Sequence, residues 1–343
     1  MQKKIYQFPS RTVTYYFDAE FSQLEKLVDK KHAVIITDEN VFRLHKQKFA
    51  GWKSIVIKAG EEFKVQATVD SIVDQLIQSN ADRKTFLIGV GGGVVTDITG
   101  YVASVYMRGI RFGFVPSSLL AMVDAAIGGK NGIDVGIYKN IIGAINQPEF
   151  LLFDISLLKT LPNEEWINAF AEIIKHAAIK DATLFAELEK NKLSAYQKNR
   201  ATLSKLIIRN VQIKSAIVKK DEFEKGERKL LNFGHTIGHA IENMQKLPHG
   251  FAISIGMAAA CMLSEQLADF KGSARVIHVL KKYGLPTKTD FKAAKVFEVL
   301  KMDKKKEQST MNYVLLKKIG QGIVKPIPVD DLGELIQSIT MAR

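Results

Sequence analysis

Short apolar runs alternating with helical stretches constrain the first half of this chain more than any other feature. Residues 33–37, 54–57 and 85–90 are rich in β-branched side chains and bounded by polar or glycine positions, as buried strands are. Residues 112–115 and 150–153 read the same way. Between the second and third runs, residues 65–79 place Val69, Ile72, Val73, Leu76 and Ile77 on one helical face. Strand–helix alternation of this kind implies a mainly parallel sheet covered on both faces.

The pattern changes after Asp154. Helical segments are expected over residues 163–180, 195–219, 233–246, 250–269 and 289–302. The first opens with Pro162-Asn163-Glu164-Glu165, a capping residue followed by acids that complement the helix dipole. One β-like stretch, residues 312–328, carries the turn signal Gly320-Gln321-Gly322. The expected class is therefore α/β plus all-α, with a parallel-sheet domain over residues 1–155 and a mainly helical domain over residues 156–343.

Bulk properties exclude several functions. At 343 residues, with 46% hydrophobic and 25% charged residues, the chain can bury two ordinary cores. The net charge of +13 is spread along the sequence, with Lys304-Lys305-Lys306 the densest run, so nucleic acid is not an expected partner. No apolar run approaches the roughly 20 residues that span a bilayer, and no membrane association is expected. Met1-Gln2-Lys3-Lys4-Ile5-Tyr6 lacks a secretory apolar stretch, and the single Cys261 suits a reducing cytoplasm.

Gly91-Gly92-Gly93 follows a strand and opens the helical stretch from Val94 to Val105. There, glycine lets backbone N–H groups approach a diphosphate at a helix N-terminus, although the GxGxxG fingerprint is not matched. Asp97, one turn in, can serve the helix dipole or a cofactor hydroxyl. Further on, the glycines around Lys130 between Asp124 and Asn140 suggest a loop that wraps a ligand, with Lys130 as a phosphate grip. Lys139, Lys175 and Arg228 extend this set of anion-binding groups, although Glu172 and Lys175 alone would read as a surface i,i+3 pair.

His235-Thr236-Ile237-Gly238-His239 puts two imidazoles on one helix face, and Thr236 stands where zinc proteases carry their glutamate. With Glu172 and His249, four candidate ligands are available. A catalytic zinc needs only three of them. Spacing alone favours keeping His235 and His239 together.

Together these segments resemble the 3-dehydroquinate synthase family of sugar-phosphate cyclases over most of the chain. The resemblance rests on residues 91–97, Tyr106-Met107-Arg108-Gly109, residues 116–124, Gly128-Gly129-Lys130, Lys139-Asn140, residues 171–175, residues 228–240 and His249-Gly250. It implies an N-terminal NAD-binding domain, a helical metal domain, a homodimer and a sugar-acid phosphate as substrate. It assigns zinc or cobalt to Glu172, His235 and His249, which places His239 near the substrate. It gives the phosphate to Lys130, Asn140 and Arg108, with Arg108 a candidate to reach in from a partner subunit. Lys175, Lys214, Arg228, Asn232 and Asp124 would bind the carboxylate and ring hydroxyls. Asp38, Glu61, Lys64, Gly92, Gly93, Val94, Asp97, Ser117, Ser118, Lys130 and Lys139 would line the NAD site. One of Lys304 and Lys305 would join the substrate shell.

The chain departs from the family pattern at several points. Ser117-Ser118 stands for Thr-Thr, Ala125-Ala126 for Ser-Ser, Asn131 for threonine, and Phe251 for a glutamate. Losing a carboxylate that orients a ligating histidine costs about 10–100-fold in metal affinity or activity, so Phe251 is expected to weaken the metal site. Rival readings are other sugar-phosphate cyclases, iron-type NAD-dependent alcohol or glycerol dehydrogenases, and a non-catalytic NAD-binding scaffold. The dehydrogenases lack the anion set of Lys130, Lys139, Asn140, Lys175 and Arg228.

Overall fold

The computed structural model describes residues 1–289, 297–298 and 310–341. The chain divides into two compact units, Met1–Glu165 with Arg200–Glu222, and Trp166–Asn199 with Phe223–Arg343. The boundary expected near residue 155 thus lies later, inside the first turn of a helix. A long helix from the second half of the sequence also returns to the first unit.

The first unit is built on strands β1 (Gln2–Gln7), β2 (Thr12–Phe17), β3 (Ala33–Asp38), β4 (Lys53–Ile57), β5 (Phe86–Gly91), β6 (Arg111–Pro116), β7 (Lys130–Val135), β8 (Tyr138–Ile145) and β9 (Phe150–Leu152). Helices α1 (Glu39–Leu44), α2 (Gln66–Gln78) and α3 (Gly93–Val105) lie between them. Seven strands form one sheet in the order β1-β2-β9-β6-β5-β3-β4, parallel except for the β1–β2 pair. Every residue of β5 is buried, as a central strand covered on both faces requires. In α2, Val69, Ile72 and Leu76 are buried, but Ile77, expected on the same face, is 60% exposed.

The glycine-rich segment from Asp124 to Asn140 is not one loop: a short π-helical turn, Ala121–Ala125, leads into the antiparallel β7–β8 hairpin. Asn131 pins that hairpin by donating to the carbonyls of Gly129 and Asn146 at 2.8 and 2.9 Å. Strands β1 and β2 were not anticipated. The Val13, Tyr15, Phe17 alternation of β2 is a period-2 signal, whereas β1 buries no residue fully.

From Asn163 the chain is mainly helical, with α4 (Asn163–Lys180), α5 (Ala182–Lys190), α6 (Leu193–Lys198), α7 (Arg200–Lys220), α8 (His235–Gln245), α9 (His249–Ala268) and α10 (Ser273–Lys282). The helix expected over 195–219 is split, because Asn199 takes extended backbone between α6 and α7. The segment expected over 289–302 lies mostly outside the described residues, as do Lys304 and Lys305. Strands β10 (Thr310–Lys318) and β11 (Gln321–Pro328) pair antiparallel around the predicted glycine turn, and a helix, Val329–Met341, follows.

Contrary to the sequence expectation, α9 is long and apolar enough to cross a membrane by length and composition. Its most apolar window is 67% buried within the protein, which marks a core helix. It packs tightly on α8. A Cβ on Gly256 would sit 1.9 Å from the carbonyl oxygen of Gly234 and 2.8 Å from the amide nitrogen of Gly238, both backbone atoms that cannot step aside. Gly256→Ala is therefore expected to destabilise the protein by about 1–3 kcal/mol. Urea unfolding measures this, and an unchanged midpoint would contradict the packing described.

Candidate active site

In the first unit the chain runs from β3 to β4 on one side of β3, then crosses to β5 on the other. Ligands of open parallel sheets settle beyond the carboxyl ends of the strands at such a reversal. Asp38 ends β3, where its carboxylate caps α1 by accepting from the Asn40 and Val41 amides at 2.9 Å each. Glu61 and Lys64 follow β4, Gly92, Gly93 and Val94 follow β5, and Ser117 and Ser118 follow β6. All the residues expected to line a nucleotide site, apart from Lys130 and Lys139 on the hairpin and Asp97 inside α3, thus follow the carboxyl ends of four neighbouring strands. Gly92 is the N-cap of α3, and a Cβ there would meet nothing nearer than Ser118 Oγ at 3.5 Å. The face above that turn is open to a diphosphate.

Lys64 links two groups that the sequence kept apart. Only 4% exposed, it places Nζ 2.5 Å from Asp97 Oδ2 and 2.5 Å from Asn140 Oδ1. Burial disfavours its ammonium, but Asp97 and Glu61 outweigh that and raise its pKa. The Lys64 carbonyl accepts from the Asp134 amide at 2.8 Å, and Asp134 accepts from the Asn140 amide at 2.6 Å. Lys139 lies 3.9 Å from Glu61. One lysine therefore ties the β7–β8 hairpin to the nucleotide end of the sheet. Helix α7 supplies Lys214, whose Nζ lies 2.7 Å from Asp124 Oδ1 and donates to the Asp124 carbonyl at 2.8 Å. Lys130 is exposed at the start of β7. Arg108 follows α3 at the end away from the glycine turn, about 20 Å along the helix axis; Asn146, bonded to both Gly129 and Ser104, holds the Lys130 end of the hairpin near that same end of α3.

The second unit holds the remaining candidates. Glu172 on α4 is fully buried, and ligand atoms of Glu172, His235 and His249 all lie within 4.8 Å of one another. His235 Nε2 and His249 Nε2 approach Glu172 Oε1 at 3.6 and 3.5 Å. Tetrahedral zinc with bonds of about 2.0–2.2 Å holds its ligands about 3.3–3.6 Å apart, and both separations from Glu172 match that spacing. The other ring nitrogens are engaged as well: His235 Nδ1 lies 3.3 Å from the Phe233 carbonyl, and His249 Nδ1 lies 3.2 Å from Glu242 Oε2. With Nδ1–H as donor, each Nε2 would be free to give its lone pair to an ion bound between it and Glu172.

Helix packing sets this convergence. Gly250 at the start of α9 donates to Asn168 Oδ1 of α4 at 2.5 Å, one helical turn before Glu172. Lys175, 2% exposed, pairs with Glu172 in the interior, so the surface reading of this pair is overturned. Burial, then the Lys175 ammonium, hold the His235 pKa well below its ordinary value, so the ring is neutral, the form that binds a metal. Burial alone would lower His249 too, but hydrogen bonds to Glu172 and Glu242 raise it to about 9. Arg228 is buried on the turn Glu227–Asn232, and Asn232 donates to Glu224 at 2.5 Å. His239 lies one turn beyond His235, with ring centroids 5.0 Å apart.

Two carboxylates here escaped the sequence reading. Glu224 sits in a positive-φ turn (φ 58°) with no periodic signal. Glu242 was legible: it follows His235 by seven residues and His239 by three, so all three share one face of α8.

The same fold is seen in solved structures of two synthases. A 2-epi-5-epi-valiolone synthase from Streptomyces hygroscopicus, solved with NAD⁺ and Zn²⁺, superimposes with a TM-score of 0.86 at 25% identity over 100% of this chain and 99% of that one. A 2-deoxy-scyllo-inosose synthase complexed with carbaglucose-6-phosphate, NAD⁺ and Co²⁺ gives 0.84 at 23% identity over 98% and 100%. At the level of sequence, the family profiles described as 3-dehydroquinate synthase N-terminal and C-terminal match residues 54–168 and 169–306. A 3-dehydroquinate synthase of Pyrococcus abyssi is 42% identical over 287 residues, 83% of this chain and 85% of that protein. This chain belongs to the 3-dehydroquinate synthase family.

Proposed function

We propose that the chain converts 3-deoxy-D-arabino-heptulosonate 7-phosphate into 3-dehydroquinate and inorganic phosphate, a step of the shikimate pathway to aromatic amino acids. The conversion combines transient oxidation, β-elimination of phosphate, reduction and intramolecular aldol closure. The observation that carries this reading is the convergence of Glu172, His235 and His249 beside a buried Lys175, in a chain of this family. When bound, NAD would take up and return one hydride, while Zn²⁺ or Co²⁺ would polarise the hydroxyl being oxidised.

The residues divide the remaining work. Glu172, His235 and His249 would hold the ion. The helix N-terminus at Gly92, Gly93 and Val94 would receive the cofactor diphosphate, with Asp38, Glu61, Lys64, Asp97, Lys139, Ser117 and Ser118 around it. Lys130, Asn140 and Arg108 would bind the substrate phosphate and stabilise the charge that grows as it leaves. Lys175, Lys214 and Arg228 are 2%, 7% and 2% exposed, and their charges are held where water cannot screen them from an anion. With Asn232, Asp124 and His239 they would fix the carboxylate and ring hydroxyls. We place the enzyme in the cytoplasm, in keeping with a lone, buried Cys261.

We further propose a homodimer joined through the β7–β8 hairpin. Val135, Ile137, Ile141 and Ile142 are 44%, 67%, 62% and 41% exposed, an apolar patch of the kind that marks an interface.

Incubation with the heptulosonate phosphate, zinc and a trace of NAD⁺ tests the activity. Phosphate release far in excess of NAD⁺, abolished by a chelator, is expected, whereas NADH accumulating with a polyol and no phosphate release would assign a dehydrogenase. For assembly, Ile137→Asp with Ile141→Asp should convert a dimer to a folded monomer by light scattering, and a monomeric wild type would contradict the proposed dimer.

A further inference from the structure

We infer that Glu242 is the positioning residue of the metal centre, holding His249 by Nδ1 so that Nε2 faces Glu172. The inference rests on the reading of Glu172, His235 and His249 as the metal set. The Glu242 side chain is 4% exposed, and Oε2 lies 3.2 Å from His249 Nδ1. A buried carboxylate is costly unless it is paired, so this contact is a directed one. Its place on α8 is fixed by the same helix face that presents His235, two turns earlier. One helix therefore supplies both a ligand and the acceptor that orients the ligand from α9.

The inference accounts for Phe251. The sequence suggested that losing a glutamate there would leave His249 without an orienting carboxylate. Instead Phe251 lines an open, largely apolar surface groove with Leu247, Ile255, Leu285 and Pro286. The carboxylate comes from α8, and position 251 is free to serve packing.

A carboxylate on Nδ1–H fixes the tautomer and ring plane and makes Nε2 a stronger donor. Removing it should weaken the metal site without unfolding the protein. Zinc affinity, measured by competition with a chromophoric chelator, should fall about 10–100-fold in Glu242→Ala. Glu242→Gln keeps an acceptor but not the charge, and should weaken binding by roughly three- to tenfold, a smaller part of the same effect. Circular dichroism and urea unfolding check that each variant is folded, and if Glu242→Ala is not, the glutamine variant decides. His235→Ala serves as the reference for a lost ligand. Wild-type zinc affinity in the folded Glu242 variants overturns the inference, and so does complete zinc loss in Glu242→Ala to the level of His235→Ala, which would make Glu242 a ligand itself. Zinc retained by His235→Ala would instead sink the ligand set, a separate failure.

Discussion

A carboxylate with no exposure is the constraint around which the helical unit is organised. An ionised Glu172 in the interior costs several kcal/mol unless cations or a metal answer it. Lys175 answers from the same helix, and His235 and His249 answer from α8 and α9. They can do so only because α8 and α9 approach closely through Gly234, Gly238 and Gly256, and because Asn168 fastens the start of α9 to α4. The glycines, the asparagine and the three ligand candidates are parts of one arrangement.

The sheet unit solves the same problem with the opposite sign. A buried ammonium at Lys64 is balanced by Asp97, and a second buried ammonium, at Lys214, by Asp124. Lys175 is likewise paired with Glu172, so these lysines do not account for the net charge of +13. Most basic residues are ordinary surface groups, but this minority is desolvated, and desolvated cations recognise anionic ligands strongly. A family whose substrates are sugar-acid phosphates has use for such groups.

The parallel core was legible because strands packed into such a core are apolar and β-branched, and five of the seven sheet strands carry runs of that kind. Helix α4 was read to its end residues, since its cap, first-turn acids and apolar face all agree. The β7–β8 hairpin was not legible: β8 leaves most of its side chains exposed, so it lacks an inward face to detect. The return of α7 to the first unit was hidden too, because a helix reveals which face is buried but not which core buries it. In the site, local spacing favoured His235 with His239. The choice of Glu172 and His249 instead depends on contacts between helices far apart in sequence, which periodicity cannot supply. Glu242 was visible in the seven-residue spacing from His235, yet its meaning required knowing where His249 lies.

The most direct test of the account is a crystal structure of the zinc-loaded protein with anomalous scattering collected at the zinc edge. The account predicts one strong peak within about 2.0–2.2 Å of Glu172 Oε, His235 Nε2 and His249 Nε2, with His249 Nδ1 still on Glu242. A peak centred among His239, Glu242 and His249, or none near Glu172, would contradict it.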